Sequence, residues 1–197
     1  MKRTSRRLKS QRLLRQSDMT GGLFARHGCP CGYFTDPTRQ CRCNPYQIQR
    51  YVSKISGPLL DRIDIHVEVP RVAYRELKQG ESGATSADIR AEVAAARSVQ
   101  AERFKRSKIS VNARMNSRQI KVHCELTAGA ERLLGSQMES QNLSARAYTR
   151  ILKVSRTIAD LSAVAAAKAD RVIDAPIQTE HVAEAIQYRT LDRDLWA

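Results

Sequence analysis

One amphipathic stripe constrains this chain more than any other feature. Ser144 is a residue type that caps helices. After it Tyr148, Ile151, Leu152, Ser155, Ile158, Ala159 and Ser162 recur at spacings of three and four, the period of a helix that buries one face. Arg146, Arg150 and Lys153 fall off that stripe, and Arg150 and Arg156 read as surface residues. Shorter helical patterns surround it. Thr85 with Asp88 three residues on resembles a capping box, and Ile89, Val93, Ala96 and Phe104 follow as a buried stripe to about Arg106. An amphipathic piece covers Ser117–Cys124, with Cys124 in the core. Thr127 caps a helix carrying Leu133, Leu134 and Met138. The run Ala163–Ala169 favours helix until Pro176 breaks it, and Thr179 caps a last helix with Val182, Ala185 and Ile186 inside. Residues 85–197 are therefore expected to form an all-helical domain.

Upstream the pattern changes. Pro45 suits a first helical position, where its missing N–H is harmless, and Ile48, Tyr51, Val52 and Ile55 give one apolar helix face until Gly57-Pro58 interrupts it. Ile63, Ile65, Val67 and Val69 then alternate with Asp64, His66 and Glu68, which predicts a half-buried strand ending at Pro70. His66 would lie on its polar side. Residues 71–84, with Gly80 and Gly83, read as a linker.

Charge is unevenly placed. Of a net +14, half sits in the first 26 residues, where Lys2, Arg3, Arg6, Arg7, Lys9, Arg12, Arg15 and Arg26 oppose Asp18 alone. Residues 1–28 read as a basic arm, disordered or foreign to the fold. A nucleic-acid-binding arm acting through counterion release and an organelle transit peptide are the alternatives. No apolar run approaches the length of a membrane span, and no apolar leader marks export. A cytoplasmic location is the expectation, and cysteines there are thiols or metal ligands rather than disulfides.

Four cysteines, Cys29, Cys31, Cys41 and Cys43, make C-x-C-x9-C-x-C. Four thiolates suit a tetrahedral zinc ion, although one intervening residue per pair is tighter than the usual two to four. Four reduced thiols in a loop is the alternative. His27 is a substitute ligand.

The run Cys29-Pro-Cys-Gly-Tyr-Phe, then Cys41-Arg-Cys-Asn-Pro, then Gln49 through Gly57-Pro-Leu-Leu-Asp-Arg-Ile-Asp-Ile65 resembles the magnesium-chelatase-like AAA+ ATPases, in particular their competence-type branch. Leu143-Ser-Ala-Arg-Ala-Tyr-Thr-Arg-Ile-Leu and His181-Val-Ala-Glu-Ala-Ile-Gln-Tyr-Arg189 are similar to that family's C-terminal lid. The resemblance covers Cys29 to about Arg193. It implies an α/β fragment over 29–70, the end of an AAA+ core sheet with the cysteine loop, followed after the linker by the helical lid over 85–197, and a chain that is mostly helical overall.

The resemblance also implies roles. Arg62 matches an arginine that reaches across a ring interface to a neighbour's nucleotide, where a guanidinium fork stabilises phosphoryl charge. The rival reading is a surface ion pair with Asp61 or Asp64. Arg146 matches the lid's nucleotide sensor. It lies in the first turn after Ser144, where a cation opposes the helix dipole, and a residue that breaks a local rule suggests a function elsewhere. The rival is a solvated arginine. His66, His123 and His181 receive no role. ATP and Mg²⁺ are implied for a complete subunit only, because no G-x-x-x-x-G-K-[S/T] phosphate loop occurs here, and His27-Gly28 stand where relatives carry Asn-Pro. The expectation is the C-terminal fragment of a ring ATPase, partnered by complete subunits, with DNA as a further partner and without turnover of its own. A zinc-containing nucleic-acid-binding module and a non-functional remnant are the alternatives.

Overall fold

A computed structural model describes residues 25, 27–60, 62–67, 69, 72, 83–166 and 173–189. Most of the basic arm and of the linker expected over 71–84 lies outside them. The chain divides into two compact units, 1–51 and 52–197.

In the first unit the cysteine loop leads into α1, Pro45–Val52. Asn44 rather than proline chemistry alone starts this helix. The Gln47 N–H donates to Asn44 Oδ1 at 2.8 Å, and the Asn44 N–H donates to Gln47 Oε1 at 3.1 Å, the reciprocal arrangement of a capping box.

The second unit is helical among its described residues. After the single turn α2, Gly57–Leu60, come α3, Ser86–Arg103, and a 3₁₀ turn, Asn112–Arg114. There follow α4, Ser117–His123; α5, Ala128–Ser140; α6, Ala145–Ala165; and α7, Thr179–Gln187. The caps explain the starts. Thr85 and Asp88 form the expected box on α3, Asn116 and Gln119 form another on α4, and Thr127 caps α5. Ser144 Oγ accepts the Ala147 N–H at 3.1 Å on α6. On α7 the cap is Gln178, one residue before the Thr179 that sequence pattern points to.

The long helix α6 organises this unit. It packs against α3, the 3₁₀ turn, α4 and α7, and α5 closes on α7. Ile151, Leu152, Ile158 and Ala159 of its stripe are buried, while Tyr148 and Ser162 at the margins are exposed. Phe104, Met115, Ile120, Leu134, Ile177 and Val182 complete the core from the surrounding elements. Leu126 and Ile177 pair as one isolated parallel bridge. Two expectations need correction on α3: Ala96 and Phe104 are buried, but Ile89 and Val93 are 51% and 46% exposed.

The structure is mostly helical, as expected, but residues 63–67 and 69 take no strand conformation, so among the described residues the α/β fragment expected over 29–70 is not seen. A strand needs a neighbouring strand to accept its ladder of hydrogen bonds. Here the backbone is met by the helical unit instead. The His66 N–H donates to the Tyr188 carbonyl at 2.7 Å, and the Ile63 carbonyl accepts from Arg189 Nη1 at 3.0 Å. Sidedness is inverted as well. His66 is buried, whereas Ile65, Val67 and Val69 are 47%, 61% and 83% exposed.

Candidate functional site

The four cysteines of the first unit come together. Their sulfurs all lie within 4.8 Å of one another, with Cys29–Cys31 at 3.3 Å, Cys31–Cys41 at 3.6 Å and Cys29–Cys41 at 3.7 Å. These separations are far longer than a disulfide. They match the roughly 3.8 Å edge of a tetrahedron whose sulfurs sit about 2.3 Å from a central zinc. Local chemistry explains the closure. The Gly32 N–H donates to the Cys29 carbonyl at 3.2 Å, and Gly32 takes φ +82°, a left-handed conformation that glycine adopts without a Cβ clash. Asp36 Oδ1 accepts the backbone N–H groups of Thr38 and Arg39 at 2.7 and 3.0 Å. Arg39 reaches Tyr33 Oη at 2.7 Å and lies over its ring. The span between the cysteine pairs is therefore internally braced.

Crowding shapes the thiols. Backbone hydrogen bonds from Tyr33 and Arg42 pull Cys31 down to about 6. The Cys43 backbone pulls Cys41 down, but burial and the neighbouring sulfurs outweigh it and push Cys41 up to about 12. Burial also raises Cys43. The Cys31 thiolate is favoured, and Cys41 and Cys43 resist ionising beside it. A divalent cation removes that conflict by supplying positive charge to all four. His27 is not in the cluster of candidate ligands.

Arg62 and Arg146 are both exposed. Arg62 lies just past α2, where its N–H donates to the Leu59 carbonyl at 3.0 Å and its Nη1 to the Pro58 carbonyl at 3.2 Å. The ion pair with Asp64 weighed from sequence does not form, because Asp64 pairs with Arg150 of α6 instead. Arg146 stands in the first turn of α6, and no ion pair engages it among the described residues.

Two arginines expected at the surface are placed otherwise. Arg150 is half-buried in the pair with Asp64, one helical turn after Arg146. Arg156 is 3% exposed and donates to the Ala175 carbonyl at 2.6 Å. It belongs to a polar network that sequence reasoning missed. Arg103 grips Asp160 with both terminal nitrogens, at 2.7 and 2.6 Å, and reaches Asp174 at 2.8 Å. Burial opposes the charge on Arg103, but the hydrogen bonds and charge of Asp160 and then Asp174 prevail and hold the guanidinium above its ordinary value. Asn112 joins through Asp160 at 2.8 Å, and His123 Nδ1 lies 3.1 Å from Asp174. Asp160 follows Arg156 by one turn on the buried face of α6, so the stripe is polar at that level. That i,i+4 spacing of opposite charges within an apolar stripe was the available signal.

Arg189, also unanticipated, is 2% exposed and ties the end of α7 to the Ile63 carbonyl. The segment that bears Arg62 is thus held by the helical unit at three points: Asp64–Arg150, Ile63–Arg189 and His66–Tyr188. No described helix is long and apolar enough to cross a membrane.

Comparison with known proteins gives a consistent set. The family model described as magnesium chelatase, subunit ChlI C-terminal, matches residues 83–189, and that described as magnesium chelatase, subunit ChlI, matches residues 20–77. The chain is 38% identical over 172 residues to competence protein ComM of Haemophilus influenzae, covering 87% of this chain and 31% of that protein. It is 39% identical over 172 residues to the protein YifB of Salmonella typhimurium, with the same coverage. To YifB of Escherichia coli it is 36% identical over 156 residues, or 77% of this chain and 28% of the relative. The chain spans about a third of the length of the curated relatives it matches.

Proposed function

This chain belongs to the magnesium-chelatase ChlI family, and on that premise we propose that it supplies an AAA+ ring motor with a trans-acting arginine, Arg62, and a lid sensor arginine, Arg146. ATP with Mg²⁺ is the nucleotide of the complete subunit. A ring containing complete subunits is the partner, DNA the material processed, and the cytoplasm the location. The observation that carries this reading is the state of the two guanidinium groups. Both are exposed and neither meets a carboxylate among the described residues, while the arginines around them, Arg103, Arg150 and Arg156, are committed to ion pairs. A guanidinium outside any ion pair, Arg62 giving only its Nη1 to the Pro58 carbonyl, keeps donors for phosphate oxygens.

In a complete subunit, Ile63–Val69 adds to a core sheet. The exposure of Ile65, Val67 and Val69 supports this, because an apolar row left in water is stabilised by burial against neighbouring strands. Cys29, Cys31, Cys41 and Cys43 would hold a structural zinc ion, since a four-thiolate site leaves no coordination position open for chemistry.

The chain alone is expected to hydrolyse no ATP. Mixed with a complete competence-type subunit, it should change that subunit's turnover, and Arg62→Ala should abolish the change. Turnover by the pure chain that Arg146→Ala removes would sink the division of labour proposed here. A second reading, a zinc-containing nucleic-acid-binding module, is favoured by the closed cysteine cluster together with the net charge of +14.

A further inference from the structure

The helical unit carries a concentration of exposed cations in one short stretch. From Phe104 to Cys124 the sequence has Lys105, Arg106, Lys108, Arg114, Arg118 and Lys121 and not one acidic residue. All six are exposed. Four of the residues around them turn inward, while Val122 stays 62% exposed. Phe104, Asn112, Met115 and Ile120 are buried, and the 3₁₀ turn and α4 pack on α6. One hydrogen bond draws the two halves of the stretch together: Gln119 Nε2 donates to Ser107 Oγ at 3.0 Å. This places the turn bearing Arg106 and Lys108 beside the α4 residue next to Arg118. Arg118 and Lys121 are three apart on α4 and so share a face.

The partners of these cations matter more than their number. Lys105 pairs with Glu102 at 3.3 Å. Arg106, Lys108, Arg118 and Lys121 meet no carboxylate among the described residues. Glu102 and Glu125 flank the stretch and Asp174 meets His123, while Glu131 and Glu139 lie on α5 and Glu180 and Glu184 on α7. Concentrating like charge on one surface carries a repulsive cost that a dispersed arrangement avoids, and a polyanion relieves it.

We infer that Arg106, Lys108, Arg118 and Lys121, flanked by Lys105 and Arg114, form a surface that binds the phosphodiester backbone of nucleic acid. This deepens the DNA part of the proposed function and rests on it for the identity of the polyanion. The described residues of the surface expose no aromatic ring, since Phe104 is buried. It therefore lacks a platform for stacking bases. Binding is sequence-independent, steeply dependent on salt and no weaker for duplex than for single strands.

The test is anisotropy of a labelled duplex with the full chain across a salt series. Replacing Arg106, Lys108, Arg118 and Lys121 together with Gln should lower the slope of log K against log salt by about 3–4. At low salt it should weaken binding on the order of 10²-fold or more. The charge-conserving exchange R106K/K108R/R118K/K121R should keep both. All four side chains are exposed, so the circular dichroism and unfolding midpoint of the Gln variant should match the parent. Intact duplex binding with an unchanged slope in the Gln variant overturns the surface and leaves the DNA reading to other residues. Failure of the parent chain to bind duplex at low salt overturns both. Tighter binding of polyglutamate than of duplex assigns the surface to an acidic protein and overturns the nucleic-acid inference.

Discussion

At the scale of single residues, Asp160 and Arg62 illustrate opposite uses of charge. Asp160 is 1% exposed and faces Arg103 and Arg156, both deep in the helical unit. Replacing it with Ala leaves two guanidinium groups without their shared counter-charge. Removing one member of such a buried set costs roughly 3–5 kcal/mol, and urea unfolding of D160A should show a loss of that order. Arg62→Ala and Arg146→Ala should instead change stability by less than about 0.5 kcal/mol, because both side chains are exposed and outside any ion pair among the described residues. A large destabilisation in either variant would mean that the side chain belongs to the fold rather than to a nucleotide. Arg103 and Arg156 escaped sequence reading because arginine is almost never fully buried unless paired. Their partners Asp160 and Asp174 lie up to 71 residues away.

Among the elements, helix starts were the most legible part of the chain, because a cap is a local contract between residues three apart. Thr85, Thr127 and Ser144 all cap as their types predict. Ser144→Ala should cost about 1 kcal/mol, seen as a lower denaturation midpoint. The start of α7 adds a pH dependence. His181 Nδ1 accepts the Gln178 N–H at 3.2 Å, which only the neutral ring can do. Burial, reinforced by Arg156 against Glu180 and Glu184, depresses the pKa of His181. The folded state then binds its proton less readily than the unfolded chain. This contribution to stability is complete above the ordinary histidine value of about 6.5 and is lost as pH falls through the lower folded value. Amide exchange at Gln178 should accelerate over that range. His181→Gln, which keeps a neutral acceptor at the same capping position, should remove the dependence. Persistence of the same profile in that variant would assign it to another group. The expected strand failed for a reason of the same scale: alternation marks two faces, but a strand exists only beside another, and residues 63–67 find the ends of α6 and α7 instead.

For the molecule as a whole, the two compact units imply two separable stabilities. The hydrophobic core holds Phe104 through Ile186 and no residue of the cysteine loop. Purified chain should carry about one zinc ion by elemental analysis. Chelation should disturb backbone resonances of residues 27–44 while leaving the helical circular dichroism of residues 83–166 nearly intact. Folded, metal-free protein with unperturbed 27–44 resonances would remove the metal centre from the account. The charge distribution is also a property of this scale: the surface inferred between Phe104 and Cys124 depends on Phe104, Asn112, Met115 and Ile120 being buried while the cations stay exposed.

Sequence by itself determined the helical patterns of the C-terminal half, most of their caps, the four-cysteine motif and the family. Each of these rests on residue types at fixed short spacings, where the chain's own geometry does the sorting. Tertiary structure alone decided that the four sulfurs converge, that Asp64 answers Arg150 rather than Arg62, that Arg103 and Arg189 go inside, and that Ile65 and Val67 face water while His66 does not. Those outcomes depend on which distant group arrives to satisfy a buried charge or a backbone carbonyl, and proximity in sequence carries no record of that.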